Sequence, residues 1–323
     1  MKILIAYDGS GHSEAAIDDL CRAGLPPDGT ALVVSVAEVW LPPPDSVDNS
    51  EITSVWANEI VRTHLEKGER ILAEASTRVK QAERRVRSML PSWTVTSSAT
   101  YGSPGWEILA ASEEAQSDLI IVGSQGHTAL GRFFLGSVSQ KVVTEAHCSV
   151  RVSRGRNEVD PAPGRIVVGF DGSRGSTAAV DAVAGRSWPE GTEVRLVTAT
   201  EVITPSAFTR FVPPVARMVE EVNVTEEHWI SRLAAASVAK LTDAGVRASH
   251  HIHPGNPKDI LVEEAESWGA DCIFVGANAY GSRLERALLG STSSAVTTRA
   301  HCSVEVVRTR ATTAPDLNGK QES

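Results

Sequence analysis

Apolar positions along the 323-residue chain fall into short continuous runs that alternate with longer segments of three- and four-residue spacing. The runs KILIA at residue 2, ALVVSVA at 31 and LIIVG at 119 are too continuous for burial on one side only, which predicts strands of a parallel sheet covered on both faces. Between them, Leu65, Leu72, Ala75, Val79, Ala82 and Val86 recur at spacings of three, four and seven, one apolar stripe on an otherwise charged helix. A further strand, TVTSSATYG, leads into a helix opened by Pro104, a position where the missing N–H would have no intrahelical partner anyway. Strands alternating with helices predict right-handed crossovers and an open, doubly wound α/β sheet.

The whole order then repeats. KILIAYDGS at 2–10 returns as RIVVGFDGS at 165–173, and LGSVSQKVVTEAHCSV at 135–150 returns as LGSTSSAVTTRAHCSV at 289–304. A copy preserved at both ends and in the same order predicts two homologous domains. They are expected over residues 1–156 and 164–309, joined through the PAPG stretch at 161–164. The polar tail, 310–323, is expected to be disordered.

Composition removes several function classes. The net charge of −9 is made of interspersed acidic and basic residues, with no basic stripe to track a phosphodiester backbone, so no nucleic-acid partner is expected. No segment approaches the roughly 20 apolar residues needed to span a bilayer, and a cytoplasmic protein with no membrane partner is expected. Four cysteines without a CxxC pair predict reduced thiols rather than a disulfide framework. The His-Cys pairs at 147–148 and 301–302 recur at matching places, which favours a structural position over thiol catalysis.

Ligands of such sheets sit at the carboxyl ends of the strands. The turn after the fourth strand reads GSQGHTALGRFFLGS: Gly123, Gly126 after two residues, and Gly136-Ser137 opening the last helix after nine more. Glycines let backbone N–H groups approach an anion, and a helix N-terminus adds free donors and partial positive charge, so the pattern suits phosphates. Arg132 within the span can neutralise phosphate charge or be an ordinary solvated arginine. Asp8, in an Asp-Gly-Ser at a strand's end, suits either a ligand contact or an N-cap.

A first strand ending in Asp, followed by Gly-x2-Gly-x9-Gly-Ser after a later apolar strand, resembles the universal stress protein family, and the duplication resembles its tandem members. The resemblance covers Lys2 to about Arg154 and Arg165 to about Arg308. It implies two doubly wound domains, each a five-stranded parallel sheet of order 3-2-1-4-5 with helices on both faces. It also implies ATP, with Mg2+, as the ligand. Carried over, Gly123, Gly126, Gly136 and Ser137 would hold phosphates, Asp8 would lie beside ribose and metal, and the main chain around Ala37 would face adenine. The family's domains commonly pair through their last strands, so 148–153 and 302–307 are expected to meet within the chain, forming an intramolecular pseudo-dimer; a further homodimer and an unidentified protein partner stay open.

The second copy departs from the pattern. It reads GANAYGSRLERALLGS, keeping Asp171, Gly276, Gly290 and Ser291, but Ala279 replaces the middle glycine and one extra residue is inserted; Gly281 serves only if the loop is remodelled. A Cβ where a phosphate must approach predicts an impaired second site. No catalytic set is expected. The leading reading is an ATP-binding regulatory or stress-response module; the alternatives are a slow ATPase or ATP-pyrophosphatase-like enzyme, for which His127 is the nearby candidate base, and a nucleotide-free scaffold. No metal ligands are assigned, although His251 and His253 would share one face of a strand beside His250.

Overall fold

The computed structural model describes residues 1–39, 55–125, 135–154, 163–200, 213–277 and 289–309. Gly126, His127, Arg132, Ala279, Gly281 and the 310–323 tail lie outside the described residues. The first half runs β1 (Lys2–Ala6), α1 (Gly11–Asp18), β2 (Thr30–Ala37), α2 (Val55–Met89), β3 (Thr94–Tyr101), α3 (Pro104–Glu114), β4 (Leu119–Gly123), α4 (Ser137–Glu145) and β5 (Ser149–Ser153). The second repeats it with β6 (Arg165–Gly169), α5 (Arg174–Ala184), β7 (Glu193–Thr200), α6 (Pro213–Asp243), β8 (Arg247–Pro254), α7 (Pro257–Trp268), β9 (Cys272–Gly276), α8 (Ser291–Arg299) and β10 (Ser303–Val307).

Each half is parallel in the order 3-2-1-4-5, and the two last strands join them into one ten-stranded sheet, β3-β2-β1-β4-β5-β10-β9-β6-β7-β8. The β5–β10 pair is antiparallel, with Val304 opposite Val152, Glu305 opposite Arg151 and Val306 opposite Val150. The expected pairing of the last strands is therefore observed, and it hides two edges that would otherwise be open. Because Arg151 and Glu305 occupy the same place in SVRV and SVEV, the pseudo-two-fold axis passes through their pairing.

Alternation along these strands sends different chemistry to the two faces. Val150, Val152, Val304 and Val306 merge with α3, α4, α7 and α8 residues such as Ile108, Val142, Leu261 and Val296 into a core continuous across both halves. On the other face the cores stay separate: one under α1 and α2, around Ile17, Val79 and Val86, and one under α5 and α6, around Val180, Ala234 and Leu241. The stripe read from the sequence accounts for α2, whose Ala75, Val79, Ala82 and Val86 are all buried.

Between those two cores lies a buried ionic chain. Arg151, fully buried, donates through Nε and Nη2 to the two Asp19 oxygens at 2.7 and 3.1 Å, and its Nη1 lies 3.5 Å from Glu305 Oε2. Arg186 pairs with Glu305 Oε1 and donates to the Ala23 carbonyl at 2.5 Å. Ser153 and Ser303 hydroxyls complete Asp19 at 2.8 and 3.0 Å. Burial opposes the Arg151 charge, yet Asp19, Cys272 and Glu305 around it hold its pKa well above the ordinary value. Arg154 and Arg308 lock the seam reciprocally: each donates to carbonyls at the C-terminus of the other half's last helix, Thr297 at 2.6 Å and Val143 at 2.6 Å.

Candidate functional site

The carboxyl ends of β1 and β4 meet the first turn of α1 and the start of α4. The β1–α1 turn is set by its own side chains: Asp8 Oδ1 accepts from Ser10 N–H at 2.9 Å, and Ser10 Oγ, the N-cap, accepts from Ser13 N–H at 3.2 Å. Ser10, not Asp8, thus caps the helix, and the second half repeats the arrangement with Asp171 and Ser173. Gly9 sits at φ +79°, a left-handed conformation that needs glycine.

Packing around this turn contributes residues that the motif does not announce. Arg78 of α2 donates to the Asp8 carbonyl at 2.7 Å and lies against Gly9, where an added Cβ would come within 2.5 Å of its Cδ. His12 Nδ1 lies 3.5 Å from the hydroxyl of Ser124, the residue following β4. A long helix folding back over the sheet brings Arg78 there, a juxtaposition invisible in local spacing; His12 stands four residues after Asp8, and its place on the first exposed turn of α1 was available from the sequence.

The motif residues have mixed explanations. A Cβ on Gly123 would meet the His12 carbonyl oxygen at 2.7 Å, so strand–helix packing alone requires that glycine. Gly276 is held the same way against Gly175. Gly136 is the N-cap of α4 and Gly290 of α8, and among the described residues neither helix has a side-chain cap, which leaves the first-turn N–H groups at Ser137 and Ser291 presented at the strand ends. Ser139 Oγ donates to the Gly123 carbonyl at 2.6 Å and fixes α4 against β4. The Ala37 carbonyl already accepts from Val39 at 2.8 Å and Gly102 at 3.0 Å, so an adenine amino group would find that acceptor occupied.

Register equates the two halves residue by residue, and their sites differ in chemistry. Where the first has His12, Ser124 and Arg78 around Asp8, the second has Gly175, Ala277 and, against Gly172, Leu233. Asp8 is half-buried and Asp171 exposed. A separate cleft of about 230 Å³, lined by residues including Ser112, Glu113, His147 and Cys148, opens at the opposite, amino end of the strands.

The sequence profile of the Universal stress protein family matches residues 1–154 and again 163–308. The chain belongs to the universal stress protein family. A universal stress protein of Mycobacterium tuberculosis is 26% identical over 314 residues, spanning 95% of this chain and 96% of its own. One from Thermus aquaticus is 34% identical over 152 residues, 47% of this chain and 97% of its own length. The solved structure of a universal stress protein from Archaeoglobus fulgidus superposes with a TM-score of 0.56 at 22% identity, covering 96% of this chain and 97% of that one. These coverages make this a tandem universal stress protein. Among the described residues no helix is long and apolar enough to cross a membrane.

Proposed function

We propose that this tandem universal stress protein binds ATP in its first domain, residues 1–156, and acts through that occupancy as a stress-response or regulatory module. The second domain, residues 164–309, serves mainly as its structural partner. One observation carries the reading: Asp8, His12, Arg78 and Ser124 gather beside the uncapped start of α4, whereas the second half offers glycine, alanine and leucine at the equivalent places. The α4 N-terminus, with Gly136 and Ser137, supplies donors for phosphate oxygens. Arg78 supplies positive charge, Asp8 a carboxylate for a ribose hydroxyl or for Mg2+, and Gly126 and Arg132 extend the cradle on the sequence pattern alone. The donor set fits a magnesium nucleotide: a carboxylate for a hard cation and backbone N–H groups for phosphate. Asp171, Gly276, Gly290 and Ser291 mark the corresponding, weaker site.

Hydrolysis is at most slow on this reading, because fast phosphoryl transfer needs a positioned base and a charge clamp on the terminal phosphate. Turnover far below the roughly 1 to 10³ per second of dedicated enzymes is expected. The experiment is to release bound nucleotide from the purified protein with acid and identify it by chromatography, then follow hydrolysis of added ATP with magnesium. ATP found at up to one per chain with negligible turnover supports the proposal. Protein that carries no nucleotide and takes none up favours the scaffold reading, and enzymatic turnover lost in His127→Ala or His12→Ala favours the ATPase.

A further inference from the structure

The second half carries a cluster at the opposite lateral edge of the sheet, on β8. His251 and His253, two residues apart, face the same side, while His250, just before them, turns to the other face and lies edge-on to Phe170. The His251 and His253 rings are stacked, 12° from parallel with centroids 6.3 Å apart. Glu264 of α7 lies across them, its Oε2 3.4 Å from His253 Nε2. One nitrogen of each ring and a Glu264 oxygen all fall within 4.8 Å of one another.

We propose that His251, His253 and Glu264 form a binding site for zinc or a similar imidazole-seeking divalent cation, with a fourth position open to water. The donor spacing carries this. Four-coordinate zinc with ligand bonds near 2.0–2.1 Å places neighbouring ligand atoms about 3.3 Å apart, which is the His253–Glu264 separation within a tenth of an ångström or so. His253 Nε2 is buried and, among the described residues, has no hydrogen-bond partner. A buried ring nitrogen left unsatisfied beside a carboxylate is an arrangement that a cation between them resolves.

The surroundings orient the ligands. Arg195 Nη1 donates to the other Glu264 oxygen at 2.7 Å, and its guanidinium stacks 4.1 Å from the Trp268 ring, so the carboxylate is held in place. Ser249 Oγ lies 2.9 Å from His251 Nε2 and holds that ring. The nearby Arg195 charge lowers the affinity, so micromolar rather than nanomolar binding is expected. Imidazole donors select zinc, copper or nickel over magnesium and calcium.

The site belongs to the second half alone. His251 pairs in register with Val197 and His253 with Ala199, and at the equivalent places Val34 faces Ser98 and Val36 faces Thr100. The counterpart of Glu264 is Ala111. The half that lacks the polar lining of the nucleotide site therefore holds the imidazole cluster.

The test is titration of full-length, chelator-treated protein with zinc chloride alone, in the absence of nucleotide and magnesium. One zinc per chain is expected, weakened at least tenfold in both His253→Ala and Glu264→Gln, with the melting midpoint of each apo variant confirming that it is folded. Cobalt titrated in place of zinc should give the visible absorption of a four-coordinate site, absent in the variants. Absence of zinc binding, or isotherms unchanged in both variants, would overturn the assignment.

Discussion

Arg151→Met tests whether the buried ionic chain, rather than the valine ladder beside it, fixes how the halves meet. The substitution keeps an unbranched side chain of similar reach but removes the guanidinium that neutralises Asp19 and faces Glu305, both almost wholly buried. Glu305 would keep Arg186, but among the described residues Asp19 would retain only the Ser153 and Ser303 hydroxyls. Removing one partner of a buried ion pair costs about 3 to 5 kcal/mol because the other charge is left uncompensated. At about 2 to 4 °C per kcal/mol for domains of this size, the melting midpoint should fall by about 6 to 20 °C. Adding Asp19→Asn should return part of the loss, since the stranded charge is then gone. Exchanging the residues, Arg151→Glu with Glu305→Arg, should fail to rescue, because the chain runs Asp19, Arg151, Glu305, Arg186, and the exchange places like charges together at both ends. Differential scanning calorimetry reads all three. A midpoint shift below about 2 °C in Arg151→Met, or full recovery in the exchange, would refute the reasoning.

Two further outcomes follow from titratable groups. Burial pushes the Cys302 thiol up to about 12 and raises Cys272 as well, Cys148 is buried, and Cys21 alone is exposed; a disulfide reagent at pH 8 should modify one thiol in the native chain and four after unfolding, and two or more rapid reactions in the native state would contradict the packing. Burial, and then the hydrogen bond to Glu14, raise Tyr7 from 10.0 to about 12. The folded state holds that proton more tightly, so the stabilisation, about 2 to 3 kcal/mol at most, is complete below pH 10 and is lost as the pH rises towards 12. Urea unfolding at pH 9 and pH 11 should show a smaller alkaline loss in Tyr7→Phe than in the unsubstituted chain, and an equal loss would remove Tyr7 from the account.

The fold was legible because its signals are local and duplicated: apolar runs set the strands, Pro104 and Pro257 mark helix starts, and the α2 stripe has one burial face. The seam was half legible. Pairing of the last strands came from the family resemblance, but that SVRV and SVEV place opposite charges on the axis became apparent only with the register. Distances in sequence explain the rest. Arg78 reaches the Asp8 loop across 70 residues, and Glu264 joins His253 from a helix, so neither follows from any spacing motif. Gly123 shows the converse, a motif residue whose backbone neighbour already explains it.

The central claim, tight nucleotide binding in the first domain with any site in the second weaker, is tested most directly by calorimetric titration of magnesium ATP into the unsubstituted chain, Asp8→Ala and Asp171→Ala. Both aspartates make the same 2.9 Å turn contact, to Ser10 and to Ser173, so each substitution removes that contact alike and a difference in ATP affinity reports ligand contact. The unsubstituted chain should bind about one ATP tightly. Loss of one charge-assisted contact, about 1.5 to 3 kcal/mol, should weaken Asp8→Ala by about 10- to 100-fold, while Asp171→Ala should bind as before. Two equivalent sites, or equal weakening by both substitutions, would contradict the account.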